Sequence, residues 1–227
     1  MSFAPAPPSS IILDTRYSGL HAIHDTPMVF VIDHFLPPEA CTALIECATP
    51  YMRASGMAFG GREAAENIRT SKTVLLKRTR AEVAPILLRV QKLLGKPACH
   101  CEDLQVSRYN VGEFYRQHFD GPGPDEDGAR DFLRCGGQRL ATVLVYLDTV
   151  ARGGETAFPA LHGGRLRVSP EQGRALIFFP GREDGTIDYH LLHEALPVAA
   201  GSKHVAQIWV RHGVDRFGLF MDTHESR

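Results

Sequence analysis

From residue 103 onward the chain breaks into short apolar or alternating runs separated by Gly, Pro and Asp: LQVSRYN, FYRQHFD, LATVLVYLD, ETAF, RLRV, RALIFFP and KHVAQIWVRH. Runs of this length with turn residues between them predict the strands of an all-β sandwich or barrel. Their spacing leaves no room for crossover helices, which disfavours a doubly wound parallel sheet. The first hundred residues differ in texture. Met28 to Phe35 (MVFVIDHF) is β-branched and aromatic and predicts a strand. Pro37-Pro38-Glu39 opens a helix whose apolar stripe is Leu44, Ile45 and Ala48, and Pro50 ends it. A short strand is expected from Ser71 to Leu76. Thr79-Arg80-Ala81-Glu82 has the capping-box pattern, with Val83, Ile86, Leu87, Val90, Leu93 and Leu94 following at helical spacing. Pro85 sits deep for a helix beginning at Thr79, which favours a later start, and Gly95 and Pro97 close it. Residues 1–27 are Pro/Ser-rich, then mixed, and read as a flexible, loosely held arm; 55–68 reads as loop.

The expected architecture is therefore mainly β with N-terminal helices. One domain spans 28–227, with a supporting strand and helices over 28–102 and a sandwich core over 103–213. Composition changes this picture little. With 227 residues, 44% hydrophobic and 22% charged, the chain can build one sizeable core. Its 25 Lys+Arg against 26 Asp+Glu leave no basic excess for nucleic acid, and no apolar run is long enough for a transmembrane helix. The N-terminal Met-Ser-Phe-Ala-Pro lacks the basic and apolar regions of a secretory signal, so a cytoplasmic location is expected. Five cysteines make no disulfide framework and are expected to be reduced. Cys99-His100-Cys101 lacks a second ligand pair at zinc-finger spacing.

The sharpest chemical feature is His118-Phe119-Asp120 at the end of a strand. Residues i and i+2 of a strand share a face, so an imidazole and a carboxylate stand side by side there. One more ligand would complete a 2-His-1-carboxylate triad of the kind that suits non-haem Fe(II) and oxygen. His162, His190, His193, His204 and His212 are all candidates, and side-chain chemistry alone does not choose among them.

Several further motifs follow in order. They are Tyr109-Asn-Val-Gly112-Glu-Phe-Tyr115-Arg-Gln-His118-Phe-Asp120, Gly136-Gly137-Gln138-Arg139, Thr142-Val-Leu-Val-Tyr146-Leu147, and Gly153-Gly154-Glu155-Thr156-Ala-Phe158-Pro159. Pro170-Glu-Gln-Gly173-Arg-Ala175 and His193-Glu-Ala-Leu-Pro197-Val198-Ala-Ala-Gly201-Ser-Lys203, with Trp209 beyond, complete the series. Together they resemble the catalytic core of the prolyl 4-hydroxylase branch of the Fe(II)/2-oxoglutarate dioxygenases. The resemblance covers about half the chain closely, and Arg69-Thr70-Ser71 extends it more loosely.

The resemblance implies a double-stranded β-helix, or jelly roll. It selects His193 as the third ligand, giving Fe(II) held by His118, Asp120 and His193. It implies 2-oxoglutarate as cosubstrate, with Lys203 receiving its distal carboxylate, Tyr109 assisting and Thr142 on the barrel floor nearby. O2 is the second cosubstrate, and ascorbate commonly keeps such iron reduced. Lysine at 203 points to the collagen-type, plant, algal and bacterial branch, since oxygen-sensing relatives use arginine; Asp120 favours hydroxylation over halogenation. Tyr115, Arg69, Ser71 and Trp209 match substrate-contacting positions, and Gly121 to Cys135, with Arg130 and Arg134, is long enough for a second lid. Ala195 stands where many members have Gly, and Arg211 where many eukaryotic members have a substrate-facing His. The implied activity is 4-hydroxylation of prolyl residues in a peptide or protein, with release of succinate and CO2. The alternatives are the same chemistry on a free amino acid or other small molecule, and a jelly roll that binds metal or ligand without turnover.

Overall fold

The computed structural model describes residues 7–55 and 68–216. In chain order its first elements are β1 (Leu20–Asp25), β2 (Met28–Ile32), α1 (Pro38–Ala48), β3 (Arg53–Ala54), β4 (Lys72–Leu76) and α2 (Ala84–Leu94). Next come β5 (Leu104–Tyr109), β6 (Tyr115–His118), α3 (Ala129–Arg134), β7 (Arg139–Tyr146), β8 (Arg152–Gly153) and β9 (Thr156–Phe158). The chain continues through β10 (Leu166–Val168), β11 (Ala175–Phe178), β12 (His193–Ala195), β13 (Val198–Ala200) and β14 (Lys203–Arg211).

Eight strands form a major sheet in the order β1-β2-β11-β7-β14-β5-β4-β3, four form a minor sheet in the order β10-β9-β12-β6, and β13 pairs with β8. All the pairings between these strands are antiparallel. The centre of the major sheet is buried on both faces, which is why β7 and β14 read as nearly continuous apolar runs. Alternation along each strand divides the core into two layers. Val143, Val145, Ala206, Ile208 and Val210 face α1 and α2, meeting Cys41, Leu44, Leu87, Val90 and Leu94. Leu144, Tyr146, Leu176, Phe178 and Val205 face the minor sheet, meeting Phe158, Leu166 and Val168. The Tyr146 hydroxyl crosses that inner layer to bond Thr156 Oγ1 at 2.8 Å. This is the sandwich that the strand pattern predicts, in the jelly-roll form that the resemblance implies.

Four expectations need correction. The described part of the N-terminal arm is docked. Ile11 is buried, the amides of Ile12 and Asp14 donate to the carbonyls of Leu94 and Leu93 at 3.0 and 2.8 Å, and Leu20–Asp25 is an edge strand. The arm thus satisfies carbonyls that the end of α2 leaves without helical partners. The major sheet also draws β1 to β4 from outside 103–213. The 121–135 segment, which reads as a solvated loop long enough for a lid, contains a helix, α3, whose Phe132 is buried beneath the guanidinium of Arg211, 4.0 Å from the ring centroid. The capping box at Thr79 opens no helix. Helix α2 starts at Ala84 with Pro85 in its first turn, where a missing N–H costs nothing. The loop expected over 55–68 lies almost wholly outside the described residues.

Candidate metal and cosubstrate site

Strands β6 and β12 are antiparallel neighbours, and His118 and His193 are register partners across them. Directly opposed residues project to the same face, and the two rings stand 4.3 Å apart, centroid to centroid. Asp120 follows just past the end of β6 and is buried. One donor atom from each of the three side chains lies within 4.8 Å of the others.

The neighbours aim these donors. His118 Nδ1 lies 2.8 Å from Arg116 O, and His193 Nδ1 lies 3.0 Å from Leu191 O. A carbonyl only accepts, so both Nδ1 atoms carry the proton and both Nε2 lone pairs face the centre. Asp120 Oδ2 accepts from Thr142 Oγ1 at 2.5 Å, and its main-chain carbonyl accepts from Arg139 Nη1 at 2.7 Å. Oδ1 is left pointing at His193 Nε2, 3.7 Å away, too far for a hydrogen bond. His193 Nε2 is buried without a hydrogen-bond partner among the described residues. A buried, unpaired imidazole nitrogen is costly unless something else satisfies it. A divalent cation among two imidazoles and a carboxylate would do so.

Burial, with the neighbouring His193 second, holds the His118 imidazole down to about 3, so it is neutral and ready to ligate at physiological pH. For Asp120 burial is the largest influence and pushes upward. His193, His118, Arg139 and the Thr142 hydroxyl outweigh it, and the carboxyl stays below its usual range.

Lys203 begins β14 on the inner face, opposite Tyr109 in register and 1% exposed. Its Nζ donates to Gly154 O at 2.8 Å and sits 4.5 Å from the centroid of the Tyr109 ring. An ammonium carries three donors, and one backbone carbonyl does not neutralise its charge. A ligand carboxylate would do both.

Of the other expected residues, Thr142 has its hydroxyl committed to Asp120, so it supports the metal site. Tyr115 stacks on His118 at 3.6 Å and 14°. Residues three apart on a regular strand face opposite ways, but the ladder between β6 and β12 is irregular. His193 pairs with His118 while Ala195 pairs with Tyr115, so β6 carries one extra residue. That bulge returns Tyr115 to the side of His118. Arg69 lies over the Tyr115 ring at 4.6 Å and donates to Ser71 Oγ and Ser107 Oγ. Trp209 is buried, with its Nε1 unpartnered among the described residues and the Arg139 guanidinium 3.8 Å from its ring centroid. Arg130 is on α3, and Arg134 makes an exposed pair with Asp131 at 3.5 Å. His204 bonds Asp148 and His190 bonds Asp188; neither reaches the triad. All five cysteines are free thiols.

A buried charge cluster escaped the sequence reading. Glu102 accepts from Arg139 Nε and Nη2, both at 2.7 Å, and from Arg211 Nε at 2.8 Å. Arg211 also meets Asp215 at 3.3 Å and donates to Gly137 O and Phe132 O. Burial, the largest influence on Glu102, pushes its carboxyl upward, and the two arginines bring it below the usual range. The available signal was an arginine at the start of β7 and another at the end of β14, two largely apolar strands.

Residues 104–211, from β5 through β14, match the 2OG-Fe(II) oxygenase superfamily. That stretch contains the triad and Lys203. Among curated proteins, a probable prolyl 4-hydroxylase 10 of Arabidopsis thaliana is 36% identical over 204 residues, covering 82% of this chain and 69% of the relative. A putative prolyl 4-hydroxylase of Acanthamoeba polyphaga mimivirus is 29% identical over 199 residues, covering 87% and 79%. Among solved structures, a viral collagen prolyl hydroxylase from Paramecium Bursaria Chlorella virus-1, in its 2OG complex, superposes with a TM-score of 0.64 at 28% identity, covering 83% of this chain and 98% of the other. The chain belongs to the 2OG-Fe(II) oxygenase superfamily and, within it, to the prolyl 4-hydroxylase family. Fe(II) and 2-oxoglutarate are accordingly its cofactor and cosubstrate, and the donor set fits both.

Proposed function

We propose that this protein hydroxylates prolyl residues at the 4-position in a peptide or protein, converting 2-oxoglutarate and O2 to succinate and CO2. The observation that carries the reading is the buried His193 Nε2, unpaired among the described residues and facing His118 and Asp120 in a chain with prolyl 4-hydroxylase relatives. His118, Asp120 and His193 would hold Fe(II), which when bound supplies the oxidising chemistry. The protein's part is to place the reactants. Lys203, with Tyr109 beside it, receives the distal carboxylate of 2-oxoglutarate. Thr142 and Arg139 hold Asp120 still. Arg69, Tyr115 and Trp209 border the site and would orient the prolyl ring, with Ser71 fixing Arg69. Ascorbate would keep the iron reduced, and the five free thiols support a reducing, cytoplasmic setting.

The test incubates the full chain with Fe(II), 2-oxoglutarate, ascorbate and a panel of proline-containing peptides under air. The expected result is one added oxygen on proline by mass spectrometry, matched by succinate, with both lost in Asp120→Ala. Oxidation of free amino acids with every peptide untouched would overturn the peptidyl reading. Succinate formation surviving in a His118→Ala/Asp120→Ala variant would overturn the metal assignment.

A further inference from the structure

Gln138 sits between Gly137 and Arg139 and is 2% exposed. Its amide nitrogen donates to Pro122 O and to Gly185 O, both at 3.0 Å, and its Oε1 accepts from the Arg139 amide at 3.1 Å. Pro122 lies two residues beyond Asp120. Gly185 lies in a loop that closes on itself through a Gly181–Ile187 bridge and the Asp188 amide to Pro180 O, then leads through Tyr189–Leu191 to His193. Two glycines pack against the same side chain. A Cβ at Gly121, directly after Asp120, would overlap Gln138 Oε1, and one at Gly181 would overlap Gln138 Cγ.

We propose that Gln138 is a positioning residue for the metal site. One buried amide ties the segment leaving Asp120 to the loop that delivers His193, and so sets the distance between two ligands that are remote in sequence. The task needs an amide. Two carbonyls must be offered N–H groups while a main-chain N–H must be offered an oxygen, and glutamine supplies both in one plane. Glutamate would turn acceptors toward two carbonyls, and methionine would fill the space with no bonds. The inference rests on the metal reading above.

The experiment titrates the metal-free full chain with Co(II), followed by visible absorption of the bound ion, alongside thermal unfolding without metal. Wild type should take up the ion. Gln138→Met should bind it on the order of tenfold to a hundredfold more weakly, the range typical when groups behind metal ligands are lost. Gly121→Ala should weaken binding similarly by pushing on Gln138 from outside, and it carries the test if Gln138→Met does not fold. Adding Gln138→Ala to Gly121→Ala should cost less than the two separate losses combined, since the smaller side chain relieves the overlap. Leu93→Ala, in α2 across the major sheet, should lower the melting temperature and leave Co(II) affinity unchanged. Wild-type affinity in both Gln138→Met and Gly121→Ala would overturn this inference alone. So would an equal loss of affinity in Leu93→Ala at a matched fall in melting temperature. Failure of wild type to bind Co(II) would overturn the metal reading and this inference with it.

Discussion

Lys203 shows what a single buried charge commits the protein to. Burial pushes its ammonium down to about 7, and Glu155 and Asp148 only partly oppose this. In the unfolded chain a lysine titrates near ~10.4. Between those values the unfolded chain holds a proton that the folded, ligand-free protein has lost, so stability at Lys203 rises with pH across that window. A bound carboxylate favours the charged form and reverses the shift. Binding of 2-oxoglutarate above pH 7 should therefore take up as much as about one proton. Calorimetry of Co(II)-loaded protein at pH 8.5, in two buffers of different ionisation heat, measures it. The same heat in both buffers would contradict this role, and Lys203→Met should abolish both the uptake and most of the affinity. Legibility at this scale was uneven. His118 and Asp120 announce themselves through strand spacing, whereas His193 and Lys203 are chosen only by family resemblance. Thr142 was read as a cosubstrate contact because nothing in the chain shows that its hydroxyl is bound to Asp120.

Among the elements, long apolar strands were readable, as were the three-residue β9 and β10, but the other short strands were not. β5, β7, β11 and β14 are strongly patterned. β8, β12 and β13 have two or three residues each, too few to show a period, and β12 supplies a metal ligand. β1 was read as arm because it shows no sustained periodicity; none of its residues is buried, as an edge strand's need not be. The bond from Tyr146 on β7 to Thr156 on β9 links the two sheets across the inner layer. Tyr146→Phe leaves Thr156 Oγ1 without that partner and should cost about 1–2 kcal/mol in denaturant unfolding, with little change in the number of metal ions bound.

At the scale of the whole molecule, the Glu102–Arg139–Arg211 cluster joins the start of β5, the start of β7, the end of β14 and, through Phe132 O, helix α3. The arginines at the ends of β7 and β14 hint at buried charge, but their pairing with Glu102 is not legible, because the three come together only after folding. Removing one partner from a buried ion cluster leaves uncompensated charge. Glu102→Gln should therefore destabilise the fold by about 3–5 kcal/mol, read from urea midpoints. It should also weaken metal binding, since Arg139 would lose the partner that aims it at Asp120. Arg211, which departs from the family pattern, is fully buried in this cluster and is a structural residue here.

The extra residue on β6 carries a lesson about which sequence changes the protein tolerates. Arg116 and Gln117 are exposed, and by burial alone they are among the most replaceable positions in the core strands. Substitutions there should be nearly silent. Deleting either one would remove the bulge and leave Tyr115 and His118 two apart on a regular strand, still on one face, whereas inserting one more residue there should turn Tyr115 away and take the stacked ring and its arginine out of the site together. For this family member, a one-residue insertion at that surface pair would be a graver change than almost any replacement of the residues themselves.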